Sequence, residues 1–343
     1  MYETKLSEDL KNQDYKKTNS LKMVLSWIIH NLRFLFIPGY RLDELEEKQT
    51  QYDLKFGVKH KLHRYKRLLF IYSISAILFL VTLATFQHWI SPYTYIESSL
   101  YDHLIGQILV TLEGYFPPSS AHPLGQTFMG YDIWARIIFG TAPVLIFAVT
   151  STIISILIGI VIGAVSGYYG GWLDVLFMRI MDIILSFPGV VFAIIFITIL
   201  GGDFLYLILI YSIIGIPYFA RIIRTNVIKE KELPYIVAGK VSGAKNKRLL
   251  FRHILPNCTQ PLIVAISYNI GRNILSITVL GFLRLGGIAW IEWGYDIALS
   301  VDMFISAPWA AFYPSLMILI AVSGFLLLGD CLNDINLLRQ EII

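Results

Sequence analysis

The sequence predicts an all-α polytopic membrane protein with six transmembrane helices, and three observations predict it. Of 343 residues, 56% are hydrophobic and only 15% charged, against about 25% charged in a soluble domain. Mean hydropathy is +0.63. Six stretches are apolar enough to be read as crossings of roughly 30 Å of hydrocarbon. The basic residues concentrate in two segments that six crossings place on one side. Such a composition excludes a disordered chain and an ordinary soluble enzyme. Two cysteines, Cys258 and Cys331, exclude a disulfide-rich secreted domain.

The N-terminal segment, residues 1–67, is polar and basic, and its first 20 residues show no apolar signal core. Within it, residues 21–36 read as a helix, with Met23, Leu25, Trp27, Ile28, Leu32, Phe34 and Leu35 as its apolar positions. It either lies in the membrane interface or packs on a partner subunit. Residues 42–48, LDELEEK, read as a solvated charged turn or helix. Span one covers 68–90 without a charge. Span two follows at 141–166, after a long outward segment, 91–136, that carries Tyr93, Tyr95, Tyr101, Tyr115 and Phe116. That segment either meets a partner or packs over its own bundle. Span three, 183–200, is interrupted by Pro188, and span four, 205–220, has Pro217 near its end. Proline lacks the N–H that a helix interior needs, so both are expected kinks or terminators. Spans five and six cover 261–282 and 311–329, ahead of a short tail, 336–343.

Fourteen of the 28 Lys and Arg residues fall in 1–67 and nine more in 221–258, whereas 91–140 holds only Arg136 and 283–310 only Arg284. The positive-inside rule then expects both termini and 221–258 to be cytoplasmic. Both cysteines lie on that side and are expected to be reduced.

The chemistry of covalent catalysis is missing from the pattern. No GxxxxGK[ST] phosphate loop, HExxH, CxxC or GxSxG occurs, and the seven histidines include no i, i+4 pair. His60 and His63 belong to a basic run and read as a solvated face. Polar groups within spans are the remaining candidates. Arg179 and Asp182, one helical turn apart, read as an ion pair at the interface. Asn269 and Arg272, inside span five, either line a pathway or tie two helices together.

Residues 231–257, KELPYIVAGKVSGAKNKRLLFRHILPN, are the most informative stretch. Pro234 suits a first helical turn. A helix over 235–242 would be closed by Gly243 in the left-handed conformation, and 245–255 predicts a second helix ended by Pro256. Ala238 and Gly239 are small enough for another protein surface to approach closely. A helix–Gly–helix element between two spans reads as a docking piece.

This segment resembles the coupling loop of permease subunits in ABC importers, whose usual form is EAA, three residues, Gly and an ILP-type ending. Ala238 matches the middle position, Gly239 replaces the second alanine, Gly243 matches the glycine, and Ile254, Leu255 and Pro256 match the ending. Val237 stands where the family has its glutamate, which removes a charge that normally helps seat the loop. Other stretches are similar to the oligopeptide, dipeptide and nickel permease group. HPLGQTFMGYDIWARIIFG (122–140) resembles HPLGTDxxGRDxxSRxxxG, departing at Gln126, Thr127 and Tyr131. GYYGGWLDVLFMRIMDIILSFPG (167–189) resembles GYxGGxxDxxxMRxxDxxxxxPx. GFLRLGGIAWIEWG (281–294) resembles FLGLGxxxxxxxWG with Arg284 for a glycine, and Gly329, Asp330, Leu332 and Asp334 match a GDxLxD ending. The likeness covers about 122–335, plus span one, and is to the dipeptide-permease C type.

The resemblance implies a type I ABC importer permease fold with a core over 137–335. It implies a second, homologous permease, two ATPase subunits and an extracytoplasmic binding protein as partners in a bacterial or archaeal inner membrane, with no nucleic acid. ATP and Mg²⁺ would act on the ATPases, with no cofactor or metal bound by this chain. The coupling residues it assigns are Tyr235, Val237, Ala238, Gly239, Gly243, Ala244, Leu255 and Pro256. Peptides are the implied cargo. The alternatives are nickel or another small solute, or a degenerate permease acting as a non-transporting scaffold or sensor.

Overall fold

The computed structural model describes residues 59–98, 114–285 and 290–340. The helix expected at 21–36 and the loop at 42–48 lie outside the described residues. The chain divides into Met1–Tyr65 and Lys66–Ile343. Of the first unit only the start of helix α1 (Lys59–Thr85) is described. The second unit holds the helical bundle.

The helices turn apolar side chains outward. On α1, Ser73, Ala76, Leu80 and Leu83 are buried at helical spacing, while Leu68, Ile71, Leu78 and Val81 are exposed. In water such a surface would aggregate; in lipid it is the solvated face. Among the described residues five helices are long and apolar enough to cross a membrane, or six if one bent pair counts as a single span.

Helix α2 (Ile133–Tyr169) starts on an Asp132 cap, whose carboxylate accepts the Ala135 N–H at 2.8 Å. At 37 residues it is roughly 55 Å long. It therefore runs well past the expected 141–166, because its polar ends need not lie in hydrocarbon. After a Gly170–Gly171 corner come α3 (Gly171–Ser186) and α4 (Gly189–Leu200). The expected third span, 183–200, takes a different form. Its axis bends by 86° between α3 and α4, and the helix pair that forms it begins at Gly171. Pro188 forces the break: the residue before a proline avoids helical geometry, and Phe187 is extended at φ −95°, ψ 135°.

Helix α5 (Phe204–Glu230) continues well past Pro217, so Pro217 ends nothing. The reason is its seam with α2. Gly159, Gly163 and Gly167, four residues apart, bring α2 against the α5 backbone. A Cβ at Gly163 would lie 2.4 Å from the Ala220 carbonyl oxygen, and one at Gly167 2.8 Å from that of Arg224. Without a hydrophobic force between helices in lipid, such small-residue stripes drive close packing and hold a proline-containing helix in place.

Helix α6 (Pro234–Val241) and a helical return arm (Asn246–Asn257) form a hairpin between α5 and α7 (Gln260–Phe282). The arm is α-helical only at its ends; Leu249–Ile254 is a π turn in which the Leu255 N–H reaches the Leu250 carbonyl. Pro256, which has no N–H to give, thus sits inside the arm instead of ending it. A short α8 (Trp293–Ser300) precedes α9 (Pro308–Gln340), which packs along α7. Gly324 of α9 brings Ala76 of α1 close. The main core gathers Phe147, Leu207, Tyr211, Ile274, Leu280 and Trp293. A second cluster, Ala164, Phe219, Ile223, Val227, Ile236, Leu250 and Ile254, seats the hairpin.

Candidate functional site

The hairpin is built from a stop signal. The Ser242, Gly243 and Ala244 N–H groups bond the Ala238, Lys240 and Gly239 carbonyls at 2.9, 3.1 and 3.1 Å. The last two form a Schellman closure, which needs a left-handed residue, and Gly243 supplies it at φ 83°. One face of α6 is anchored: Ile236 is buried among Leu250 and Ile254, and Gly239 leaves room for Leu249. The other face is bare. Leu233, Val237 and Val241 recur four residues apart and are exposed, Val241 to 84%. Ala238 and Pro256 are exposed, and Ala244 and Leu255 half-buried.

Polar ties mount the hairpin on the bundle. Tyr235 Oη donates to Glu230 Oε1, and Asn257 Nδ2 donates to both, at 2.8 Å to Tyr235 and 2.9 Å to Glu230. Lys231 Nζ donates to the Gly167 carbonyl at 2.8 Å, and Tyr168 Oη to Asn246 Oδ1 at 2.9 Å. Glu230 therefore works from the end of α5 as an internal brace, a role that its position in the sequence does not reveal.

The expected Arg179–Asp182 pair is not formed. Asp182 accepts from Arg221 Nη2 at 2.7 Å, and Asp174 takes Arg224 in a bidentate pair with both bonds at 2.6 Å. The cause is the facing helix: Asp174, Met178, Met181 and Asp182 recur on the α3 stripe that meets α5, and Arg179 falls off that stripe into an exposed position.

The bend at Pro188, with α5 and α7, walls a cavity of about 430 Å³ whose lining includes Tyr211, Tyr218, Asn269, Arg272, Asn273 and Ser276. Asn269 Oδ1 accepts from Thr152 Oγ1 at 2.9 Å, which ties α7 to α2, and from Asn273 Nδ2 at 3.2 Å within α7, and the residue also lines the cavity. Arg272 lines the cavity and is exposed.

A third arrangement holds the opposite ends of α2 and α7. Arg136, almost fully buried, meets Asp296 of α8 through Nε at 2.8 and 2.9 Å and through Nη2 at 2.5 Å, while Nη1 donates to the Ser98 carbonyl at 2.6 Å. His122 Nδ1 lies 3.0 Å from Asp132 Oδ2, with Tyr93 stacked on its ring. Glu292 caps α8, accepting from the Gly294 and Tyr295 N–H groups at 2.9 and 2.8 Å. Burial pushes its carboxyl up to about 8 against those two bonds. Motif and spacing do not single out Asp296 or Glu292. Their signal is nonetheless present: an i, i+4 acidic pair facing a segment whose sole basic residue is Arg136.

Spans that wall a cavity lined by both apolar and polar side chains while carrying a rigidly mounted external hairpin have the construction of a membrane transporter subunit. Comparison with known proteins narrows the class. Residues 155–340 match the family described as binding-protein-dependent transport system inner membrane component, and the chain belongs to it. It is thus a permease subunit of a binding-protein-dependent ABC importer. The chain is 38% identical over 221 residues to the dipeptide transport system permease protein DppC of Alkalihalophilus pseudofirmus, covering 63% of this chain and 72% of that one. It is 37% identical over 259 residues to the glutathione transport system permease protein GsiD of Pectobacterium atrosepticum, covering 75% and 83%. A chain of the inward-facing MetNI methionine ABC transporter is similar at a TM-score of 0.48 and 17% identity, over 58% of this chain and 94% of that one.

Proposed function

We propose that this chain forms one half of the pathway of an ATP-driven peptide importer in the cytoplasmic membrane of a bacterium or archaeon. A homologous permease supplies the other half. A binding protein delivers cargo to the outer face, and two ATPase subunits, carrying ATP and Mg²⁺, dock at the inner face. Both termini and the hairpin are cytoplasmic in this reading, which the basic residues of 221–258 support.

The observation that carries it is the hairpin. Its apolar face is bare while its other face is packed and braced to α2 and α5. A partner that seats on Leu233, Val237 and Val241 can therefore push the bundle as a rigid body. With Val237 in place of the usual glutamate, the partner groove is expected to receive an apolar side chain there. Peptide as cargo rests on the dipeptide and glutathione permeases among the relatives.

The test is reconstitution of the chain with its partner subunits and binding protein in liposomes. ATP-dependent accumulation of a labelled dipeptide is expected. Accumulation of nickel with no peptide would overturn the cargo, and ATPase docking without accumulation of either solute would leave a scaffold.

A further inference from the structure

Arg272 poses a problem of charge. The membrane-crossing part of α7 is Pro261–Phe282, so Arg272 lies roughly 15 Å from either end, at the middle of the bilayer. A cation at that depth is costly unless it faces water or an anion. Among the described residues no carboxylate pairs with Arg272; Asp182, on the facing stripe of α3, is taken by Arg221. The cavity that Arg272 lines thus carries an uncompensated positive charge.

A second observation points the same way. Tyr211, only 3% exposed and lining the same cavity from α5, has a hydroxyl that faces Ser276 without closing a hydrogen bond of ordinary geometry. A buried hydroxyl left without a full partner is unfavourable until a bound group meets it. Asn269 adds a third donor: its Oδ1 accepts from Thr152 of α2 and from Asn273 one turn on in α7, whereas no acceptor among the described residues takes its Nδ2. A cation and two donors around one cavity complement an anion with several acceptor lone pairs, and a carboxylate has them. The volume of about 430 Å³ lies within the usual range for a small-molecule site.

We propose that Arg272, Tyr211 and Asn269 form a carboxylate subsite inside the pathway, which holds the C-terminal carboxylate of a short peptide in transit. The peptide identity rests on the function proposed above; the anion preference rests on the cavity itself. Cargo selection is then shared between the binding protein and the permease.

Two measurements on the complete purified importer test this. The first is equilibrium binding, without the binding protein present, of labelled Ala-Phe and of its C-terminal amide. The wild-type complex should favour the free acid. Arg272→Gln should weaken free-acid binding about ten- to a hundredfold, the value of a charge-assisted hydrogen bond, and leave the amide nearly unchanged. Arg272→Lys should retain part of the preference. Tyr211→Phe, which removes only the hydroxyl, should weaken acid binding about tenfold and serves if Arg272→Gln fails to assemble. The second is ATP-driven uptake of both probes in liposomes. Uptake with an acid-to-amide binding ratio identical in wild type and variants overturns the subsite and leaves the importer intact. Uptake of neither probe by the wild type overturns the peptide reading and this subsite together.

Discussion

Substitution at Gly243 separates the hairpin's closure from every other property of the fold. Gly243 holds φ 83°, and a Cβ built there meets nothing within 4 Å. An added side chain is therefore opposed by backbone geometry alone. For an L-residue the left-handed region costs roughly 1–2 kcal/mol, less for asparagine, which visits it locally, and more for a β-branched residue. Alanine should accordingly shift the local equilibrium about five- to thirtyfold towards an opened cap. What opens is the pair of bonds from the Gly243 and Ala244 N–H groups to Lys240 and Gly239, and with them the angle between α6 and its return arm. No packed cluster of the bundle includes residue 243, so thermal unfolding of the purified chain should not move. ATP-driven uptake should fall in the order Gly, Asn, Ala, Val, and ATPase activity should lose its response to loaded binding protein in the same order. A Gly243→Val complex with undiminished uptake and stimulation would refute the reasoning. So would a lowered unfolding temperature, because the substitution would then act through the bundle.

Other perturbations address the frame. Asp296→Asn strips the anion from a buried guanidinium that remains charged, and should destabilise the fold by about 3–5 kcal/mol in denaturant titration, whereas replacing Arg136 and Asp296 together by Met and Leu should recover most of it. Gly163→Leu should cost at least about 1–3 kcal/mol, because the Cβ alone would sit 2.4 Å from the Ala220 carbonyl; thermal unfolding beside Ile158→Leu, on the exposed face of the same helix, checks it. Glu292 supplies a pH dependence. Its folded-state pKa, about 8, lies above the ordinary 4.5, so between these values the folded state binds more protons than the unfolded one, and stability falls as pH rises. Unfolding temperature should decline from pH 5 to pH 8, and Glu292→Gln should flatten that decline.

How far the fold was legible depended on what each element answers to. Membrane crossings answer to composition, so α1 and α7 lie close to where hydropathy puts them. Helix ends answer to local caps and to what lies outside hydrocarbon. Asp132 therefore starts α2 well ahead of its apolar run, and the α2–α5 seam carries α5 past Pro217. The glycine stripe 159–163–167 was in plain view as a period of four, but glycine counts for little on a hydropathy scale, and its meaning lies in the backbone it meets. The Asp182 partner was misjudged for a related reason. Spacing along one helix names neighbours on that helix, and the closer cation, Arg221, comes from another. The hairpin was readable because its determinants are local: a proline at the first turn and a glycine at the stop. The cavity was only half readable. Arg272 and Asn269 stood out as polar residues in a span, and Ser276 lies one turn from Arg272 on the same helix, while Tyr211 joins them only through the packing of α5 beside α7.

Whether a charge is compensated separates the paired frame residues of this chain from the residue proposed to meet cargo. Arg136–Asp296, Arg224–Asp174 and Arg221–Asp182 each join two elements and leave no net charge. Removing either partner of the fully buried first pair uncovers a desolvated charge, so the loss falls on folding. Arg272 pairs with no carboxylate among the described residues. In the subsite proposed above it meets an anion only when cargo binds, so its removal should spare folding and impair cargo binding. The two classes therefore predict opposite signatures from equally drastic mutations: Asp296→Asn should lower the unfolding temperature while the surviving folded complexes bind the free-acid peptide normally, and Arg272→Gln should keep or raise that temperature while free-acid binding falls. Because both signatures come from one electrostatic argument applied at two places, an exchange of them would refute the assignment of frame and pathway together.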